Sequence, residues 1–155
     1  MRVPDRVTTL TEAAEYCQRY LSQVSLPNEA LRDLDELDTA PEATAWAKAS
    51  WRGFRALAAY AADAGNTNGG FWEWCQHSQS ADTWPATDKK LSMTESERVL
   101  NNSAQRAARY LPVDTAVSPA GRVEMLAHLK IAQGGGDNIP RIYFFDDTRF
   151  GRAHV

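Results

Sequence analysis

Apolar and polar residues alternate with a period of two along the last third of the chain. The apolar positions of three successive runs are Val123, Met125, Ala127, Leu129 and Ile131, then Ile142 and Phe144, then Ala153 and Val155. Alternation of this kind is typical of antiparallel strands with one buried and one polar face. We therefore predict a three-stranded antiparallel meander over residues 122–155. The third run stops in mid-strand at Val155, which leaves open that the sequence is a fragment.

Residues 9–111 form a predicted helical part, in which most segments have apolar residues every three or four positions. Residues 78–91 are predicted to be irregular, because Trp84-Pro85 excludes a regular element there. Thr9 and Glu12 have the spacing of a capping box at the start of a first helix. An acidic second helix over residues 28–38 and a long third helix after Pro41 follow. The aromatic-rich segment 71–77 fits either a short buried helix or a strand, and we favour the helix. The pairs Ser92/Glu95 and Thr94/Glu97 predict the start of a last helix, which Pro112 ends. The predicted fold class is α+β: one domain over residues 1–155, with the helical layer packed on one face of the meander.

Composition and charge exclude several classes of protein. The formal charge of −3 argues against a protein whose whole surface binds nucleic acid or an anionic membrane. Cys17 and Cys75 lie far apart, so neither a disulfide scaffold nor a zinc site is expected. The N-terminus lacks the apolar segment of a signal peptide, and no apolar run approaches the ~18 residues of a membrane span. We expect a bacterial, cytoplasmic protein without a membrane partner.

The polar face of the predicted meander is the main candidate for chemistry. Its side chains, spaced by two on each strand, are His128, Lys130, Arg141, Tyr143, Arg152 and His154. Lysine and arginine bind phosphates, tyrosine stacks on bases, and histidine shuttles protons in RNA cleavage. The alternative interpretation is a solvated second face, which is the more common use of such side chains.

Two charged segments outside the sheet are further candidates. Arg98, Arg106 and Arg109 recur at helical spacing and would extend a nucleic-acid-binding surface beside the sheet. The acidic helix carries Asp33, Asp35, Glu36 and Asp38, which together would contact a basic partner protein.

No cofactor or metal site is predicted. The Asp146-Asp147 pair has the oxygen ligands of a magnesium site, but such a pair more often starts a turn. Gly134–Gly136 lacks the flanking residues of a phosphate-binding loop. The sequence contains none of the motifs G-x-S-x-G, H-E-x-x-H and H-x-E…C-x-x-C of hydrolases, metalloproteases and deaminases.

Residues 95–155 resemble the sheet of the RelE/ParE-like toxins. The resemblance lies in a helix that leads into three antiparallel strands, with the sequence RIYFFDD in the middle strand. It implies a helical hairpin on one sheet face and basic and aromatic site residues on the other. In the RelE branch such residues cleave ribosome-bound mRNA without a metal. The resemblance would give this role to His128 and His154, with Lys130, Arg141, Tyr143 and Arg152 binding the RNA.

Three functional hypotheses follow from these patterns. The first is a non-catalytic protein–protein interaction module of a larger protein or complex, because no catalytic motif is apparent. The second is a nucleic-acid-binding or RNA-cleaving protein of the RelE type. The third is a small-ligand sensor with a tryptophan-lined pocket, which rests on the five tryptophans alone.

Overall fold

The computed structural model describes residues 3–63, 69–132, 139–147 and 152–155, with the backbone alone at residue 152. Helices dominate the first part of the chain and antiparallel strands the last part, so the predicted α+β class is confirmed.

The helices lie between residues 10 and 107. They are α1 (Leu10–Tyr20), a 3-10 helix (Asn28–Leu31), α2 (Leu34–Leu37), α3 (Ala43–Ala62), α4 (Phe71–His77), α5 (Glu97–Leu100) and α6 (Ser103–Ala107). At the start of α1 the hydroxyl of Thr9 accepts a hydrogen bond from the backbone N–H of Glu12 at 3.0 Å, as the capping box predicts.

The strands are short. They are β1 (Val24–Ser25), β2 (Leu91–Ser92), β3 (Tyr110–Pro112), β4 (Arg122–Glu124), β5 (His128–Lys130), β6 (Arg141–Tyr143), β7 (Phe145–Asp147) and β8 (Arg152–His154). They form sheets in the orders β2-β5-β6, β1-β8-β7 and β3-β4.

The predicted meander exists in antiparallel form but is divided between sheets. β5 pairs with β6, and β7 pairs with β8. The middle run changes partner at Phe144, whose backbone N–H donates to the carbonyl of Ala127 at 3.0 Å. The first run also divides, because Met125 donates its N–H to the carbonyl of Arg109 at 2.8 Å. The first and the middle predicted strands are therefore each divided into two short strands, which pair with different neighbours.

The core lies between α3 and the strands. The apolar alternation is borne out in the core, where Leu129, Ile142, Phe144 and Ala153 are all buried. A Cβ added to Gly53 of α3 would lie 2.6 Å from Leu129 Cδ1, so the helix approaches the sheet more closely than a larger side chain permits.

Two predicted helices were wrong in extent. Asp33 adopts the left-handed conformation (φ 66°), which an aspartate tolerates better than most residues and which divides the acidic helix in two. The last predicted helix is divided between α5 and α6, because the side chain of Asn102 caps a new helix start. Pro112 lies in β3, at the position where the prediction ended a helix.

Among the described residues, no helix combines the length and apolar character needed to cross a membrane.

Candidate functional site

The register of β5 and β6 brings four of the predicted polar side chains onto one face. His128 lies opposite Tyr143, and Lys130 lies opposite Arg141. His154 lies in the other sheet, on β8, so the structure does not unite all six side chains on one strand pair. The side chain of Arg152 lies outside the described residues.

This face is covered by a buried carboxylate that the sequence did not single out. Glu95 is only 6% exposed, and its Oε1 accepts a hydrogen bond from the Tyr143 hydroxyl at 2.8 Å. Its Oε2 lies 3.3 Å from a terminal nitrogen of Arg109, and Oε1 lies 3.2 Å from His128 Nδ1. We call Glu95, Arg109, His128 and Tyr143 the Glu95 cluster.

Burial sets the protonation of the two aromatic members. It lowers the pKa of His128, although the Leu126 carbonyl, 2.9 Å from Nδ1, and Glu95 act in the opposite direction. Burial and the hydrogen bond to Glu95 raise the pKa of Tyr143, which Arg141 partly offsets. These shifts favour a neutral imidazole at His128 and a protonated phenol at Tyr143.

The ion pair fixes the direction of Arg109. Its guanidinium carbon lies 5.0 Å from the centre of the Tyr143 ring, a cation–π distance, while Glu95 holds one terminal nitrogen. The buried Nε of Arg109 has no hydrogen-bond partner among the described residues. Glu95 and Tyr143 thus hold a guanidinium in one geometry, with 21% of the side chain exposed.

Arg109, Arg141 and Tyr143 line a cleft of about 710 Å³ between the helical part of the chain and the strands. Its apolar wall is formed by Leu10, Ala14, Leu26, Pro27, Ala30, Leu34, Leu37, Phe54, Leu111, Pro112, Ile131, Ile139, Pro140, Ile142 and Val155. The volume lies within the range of about 300–1,000 Å³ that is typical of small-molecule sites, which combine apolar walls with few polar groups.

Among the described residues, four guanidinium groups line this cleft, and they differ in how they are paired. The four are those of Arg32, Arg109, Arg122 and Arg141. Arg109 is paired with Glu95, and Arg122 lies 3.7 Å from Glu29, with both side chains about half exposed. Within the described part of the chain, neither Arg32 nor Arg141 has a carboxylate oxygen within 4.0 Å.

The remaining predicted basic residues do not converge on this cleft. Lys130 donates to the carbonyl of Asp88 at 2.7 Å, and Arg106 forms an ion pair with Glu124 at 2.9 Å. Arg98 is exposed and does not line the cleft. Of the predicted arginine stripe, Arg109 alone lines it.

His154 forms a separate buried pair with Asp147. Its Nε2 lies 3.2 Å from Asp147 Oδ2, and both residues are buried. The Nδ1 atom of His154 has no hydrogen-bond partner among the described residues. Neither residue lines the cleft.

The predicted acidic surface is smaller than the sequence indicates. Asp38 accepts hydrogen bonds from the backbone N–H of Leu10 at 2.6 Å and of Thr11 at 3.2 Å, so it caps α1. Asp33, Asp35 and Glu36 are exposed, and Asp33 lines the cleft.

Over the described ranges, no group of three or more histidine, cysteine, aspartate or glutamate side chains has the arrangement of a metal site.

Sequence reasoning missed three members of the site: Glu95, Arg32 and Arg122. The alternation is a signal that could have identified Arg122, because this residue lies an even number of positions from His128 and Lys130 and so belongs to the same predicted face. Glu95 has the spacing of a helix cap, whereas Ser96 caps α5 in the structure. No local pattern marks a glutamate that pairs with an arginine 14 residues later.

Comparison with known proteins finds no match for this chain among protein-family models, curated protein sequences or solved structures. The resemblance to the RelE/ParE-like toxins therefore stays a hypothesis.

Proposed function

We propose that this chain is a non-catalytic binding module and that the cleft is its binding site. The observation that carries the proposal is the cleft itself: about 710 Å³, apolar along both the helical and the strand side, with arginines in its wall. A concave apolar site with a few fixed polar groups is the usual form of a ligand-binding site.

The composition of the lining favours binding over catalysis. Among the described lining residues there is no histidine or cysteine, and the hydroxyl groups are those of Ser50 and Tyr143. The Tyr143 hydroxyl donates a hydrogen bond to Glu95, and burial keeps the pKa of Tyr143 above its ordinary value. His128 and His154, the histidines of the RNA-cleavage hypothesis, are buried outside the lining.

A protein partner is a second candidate, favoured by the exposure of Asp33, Asp35 and Glu36 on one short segment beside the cleft. A basic partner surface would complement these carboxylates. Replacing Asp35 and Glu36 by asparagine and glutamine would abolish such binding and leave the cleft intact.

RNA binding is less well supported by the geometry. The groups of Lys130 and Arg106 are already engaged within the chain, and the face bearing His128 is covered by Glu95. A salt-dependent affinity for single-stranded RNA that falls in an Arg98→Ala variant would restore this hypothesis.

The proposal is tested by a fragment screen on the 15N-labelled chain, read by amide chemical shifts. The fragments are small aromatic and aliphatic compounds of positive, neutral and negative charge. We expect binders whose shifts cluster at the cleft, around Leu34, Ile131 and Ile142. The proposal is wrong if no fragment binds, or if the binders map to another surface.

A blocking variant makes the test independent of peak assignment. Ala30 is exposed and lines the cleft, so Ala30→Trp fills part of it without entering the core. Ala81→Trp adds the same side chain at an exposed position outside the lining and is the matched control. Fragments should lose affinity for the first variant and keep it for the second.

A further inference from the structure

We infer that the cleft takes an amphipathic organic anion, with a carboxylate head and an apolar chain or ring system. This inference rests on the proposed function and adds the chemistry of the ligand. It is carried by the combination of an apolar wall with guanidinium groups within one cavity.

The charges around the cleft favour a negative ligand. Among the described residues, four arginines line it together with the carboxylates of Glu29 and Asp33, and Glu95 lies behind Arg109. Glu95 and Glu29 pair with Arg109 and Arg122. Arg32 and Arg141 have no carboxylate oxygen within 4.0 Å in the described part of the chain, so a ligand carboxylate would give them a partner.

Arg141 and Arg109 provide the preorganised part of a carboxylate site. Both lie beside Tyr143: Arg109 over its ring and Arg141 close enough to its hydroxyl to lower the pKa of the phenol. A guanidinium presents a planar set of N–H donors that matches a carboxylate, and a fixed donor loses less entropy on binding than a mobile one. The buried Glu95 supplies this fixation for Arg109.

The apolar part of the wall favours an apolar chain or ring system in the ligand. Leu34 and Leu37 of α2, Phe54 of α3, and Ile131 and Ile142 of the strands offer aliphatic and aromatic contact without hydrogen-bonding side chains. A small inorganic anion would leave this wall in contact with water. An apolar chain covers it and gains about 25 cal/mol for each Å² removed from water.

The test is isothermal titration calorimetry of the whole chain with four probes. Decanoate carries both the carboxylate head and the apolar chain, and acetate carries the carboxylate alone. Decylamine has an apolar chain of the same length with a positive head. A peptide rich in aspartate and leucine represents a protein segment. We expect decanoate to bind at least tenfold more tightly than each of the other three. An equally tight or tighter peptide would assign the cleft to a protein partner and overturn the inference.

Variants show whether binding occurs in the cleft. Arg141→Met and Arg32→Met remove the two guanidiniums that have no carboxylate oxygen within 4.0 Å among the described residues. Each substitution should weaken decanoate binding about tenfold, the effect of one charge-assisted hydrogen bond. Arg98→Met removes an exposed arginine outside the lining and should change the affinity less than twofold. Equal affinities of all three variants would mean non-specific adsorption and would refute the inference.

The two proposals fail in different ways. If decylamine or neutral fragments bind at the cleft and lose affinity in Ala30→Trp while decanoate does not bind, the binding module stands and its anionic ligand is wrong. If no probe and no fragment responds to Ala30→Trp, both are wrong.

Discussion

Removal of the Glu95 carboxylate tests the electrostatic account of the site. Glu95 is 6% exposed and lies against Arg109, His128 and Tyr143. Taking one partner from a fully buried ion pair costs about 3–5 kcal/mol, because the other charge is left unpaired. The side chain of Arg109 is 21% exposed, so water compensates part of this loss, and we expect about 2–3 kcal/mol for Glu95→Ala.

Glu95→Gln removes the negative charge of the side chain and keeps its shape. The amide oxygen still accepts the hydrogen bond of the Tyr143 hydroxyl, while the attraction to Arg109 is lost. We therefore expect a smaller loss, about 1–2 kcal/mol, as for a hydrogen bond to a charged group. Glu97→Ala, at an exposed position two residues away, should change stability by less than about 0.5 kcal/mol.

Urea unfolding at pH 7, followed by circular dichroism, measures these differences in unfolding free energy. The comparison uses the same dependence of that free energy on urea concentration for all variants. A double-mutant cycle with Arg109→Met isolates the pair, and we expect a coupling free energy of about 1–2 kcal/mol. A stability loss of less than about 0.5 kcal/mol for Glu95→Ala, or additive effects of the two substitutions, would refute the assignment of Glu95 as the partner that fixes Arg109.

Three further predictions concern the core and its buried groups. Gly53→Val should destabilise the fold by about 3 kcal/mol, because the new Cβ would meet Leu129 Cδ1 at 2.6 Å in a close-packed core. Burial raises the pKa of the Cys17 thiol from 9.0 to about 12, so an aromatic disulfide reagent at pH 8 should modify Cys17 only as fast as the chain unfolds. The lowered pKa of His128 means that the folded state binds fewer protons than the unfolded state below pH 6.5. Stability should therefore fall as the pH drops from 6.5 towards the folded pKa, with a slope of at most about 1.4 kcal/mol per pH unit that His128→Gln removes.

Each of these predictions has a control within the chain. Gly70→Ala places a Cβ where no atom lies within 4 Å and should change stability by less than about 1 kcal/mol. The Cys75 thiol, whose pKa burial raises to about 11, should react faster than Cys17, and the reverse order would contradict the assigned burial. His77 is exposed, and His77→Gln should leave the pH slope unchanged. If the His128→Gln variant keeps the pH dependence of stability, that dependence belongs to another group.

Local patterns were sufficient where the signal lies in neighbouring residues. The capping box at Thr9 and Glu12 was predicted from spacing, and a helix was favoured over a strand at residues 71–77 from composition. The alternation identified Leu129, Ile142 and Ala153 as buried, because a strand exposes every second residue to the same face.

Features that depend on contacts between distant parts of the chain could not be predicted from local patterns. The alternation also predicted an open polar face, whereas Glu95 covers His128 from a segment more than 30 residues earlier in the chain. β1 pairs with β8 across almost the whole sequence, and two-residue strands leave no periodic signal. The cleft likewise combines α1, α2 and α3 with the strands, so its arginines lie together only in the folded chain.

The most direct measurement of the central claim is the position of bound decanoate on the protein, from intermolecular nuclear Overhauser effects to the uniformly 13C-labelled chain. The account predicts contacts from the alkyl methylenes to Leu34, Ile131 and Ile142, and a carboxylate-proximal methylene close to Arg141. Met93, an exposed methyl group outside the cleft, should show none. Contacts spread over Met93 and other exposed side chains, with none at Leu34 or Ile142, would contradict it.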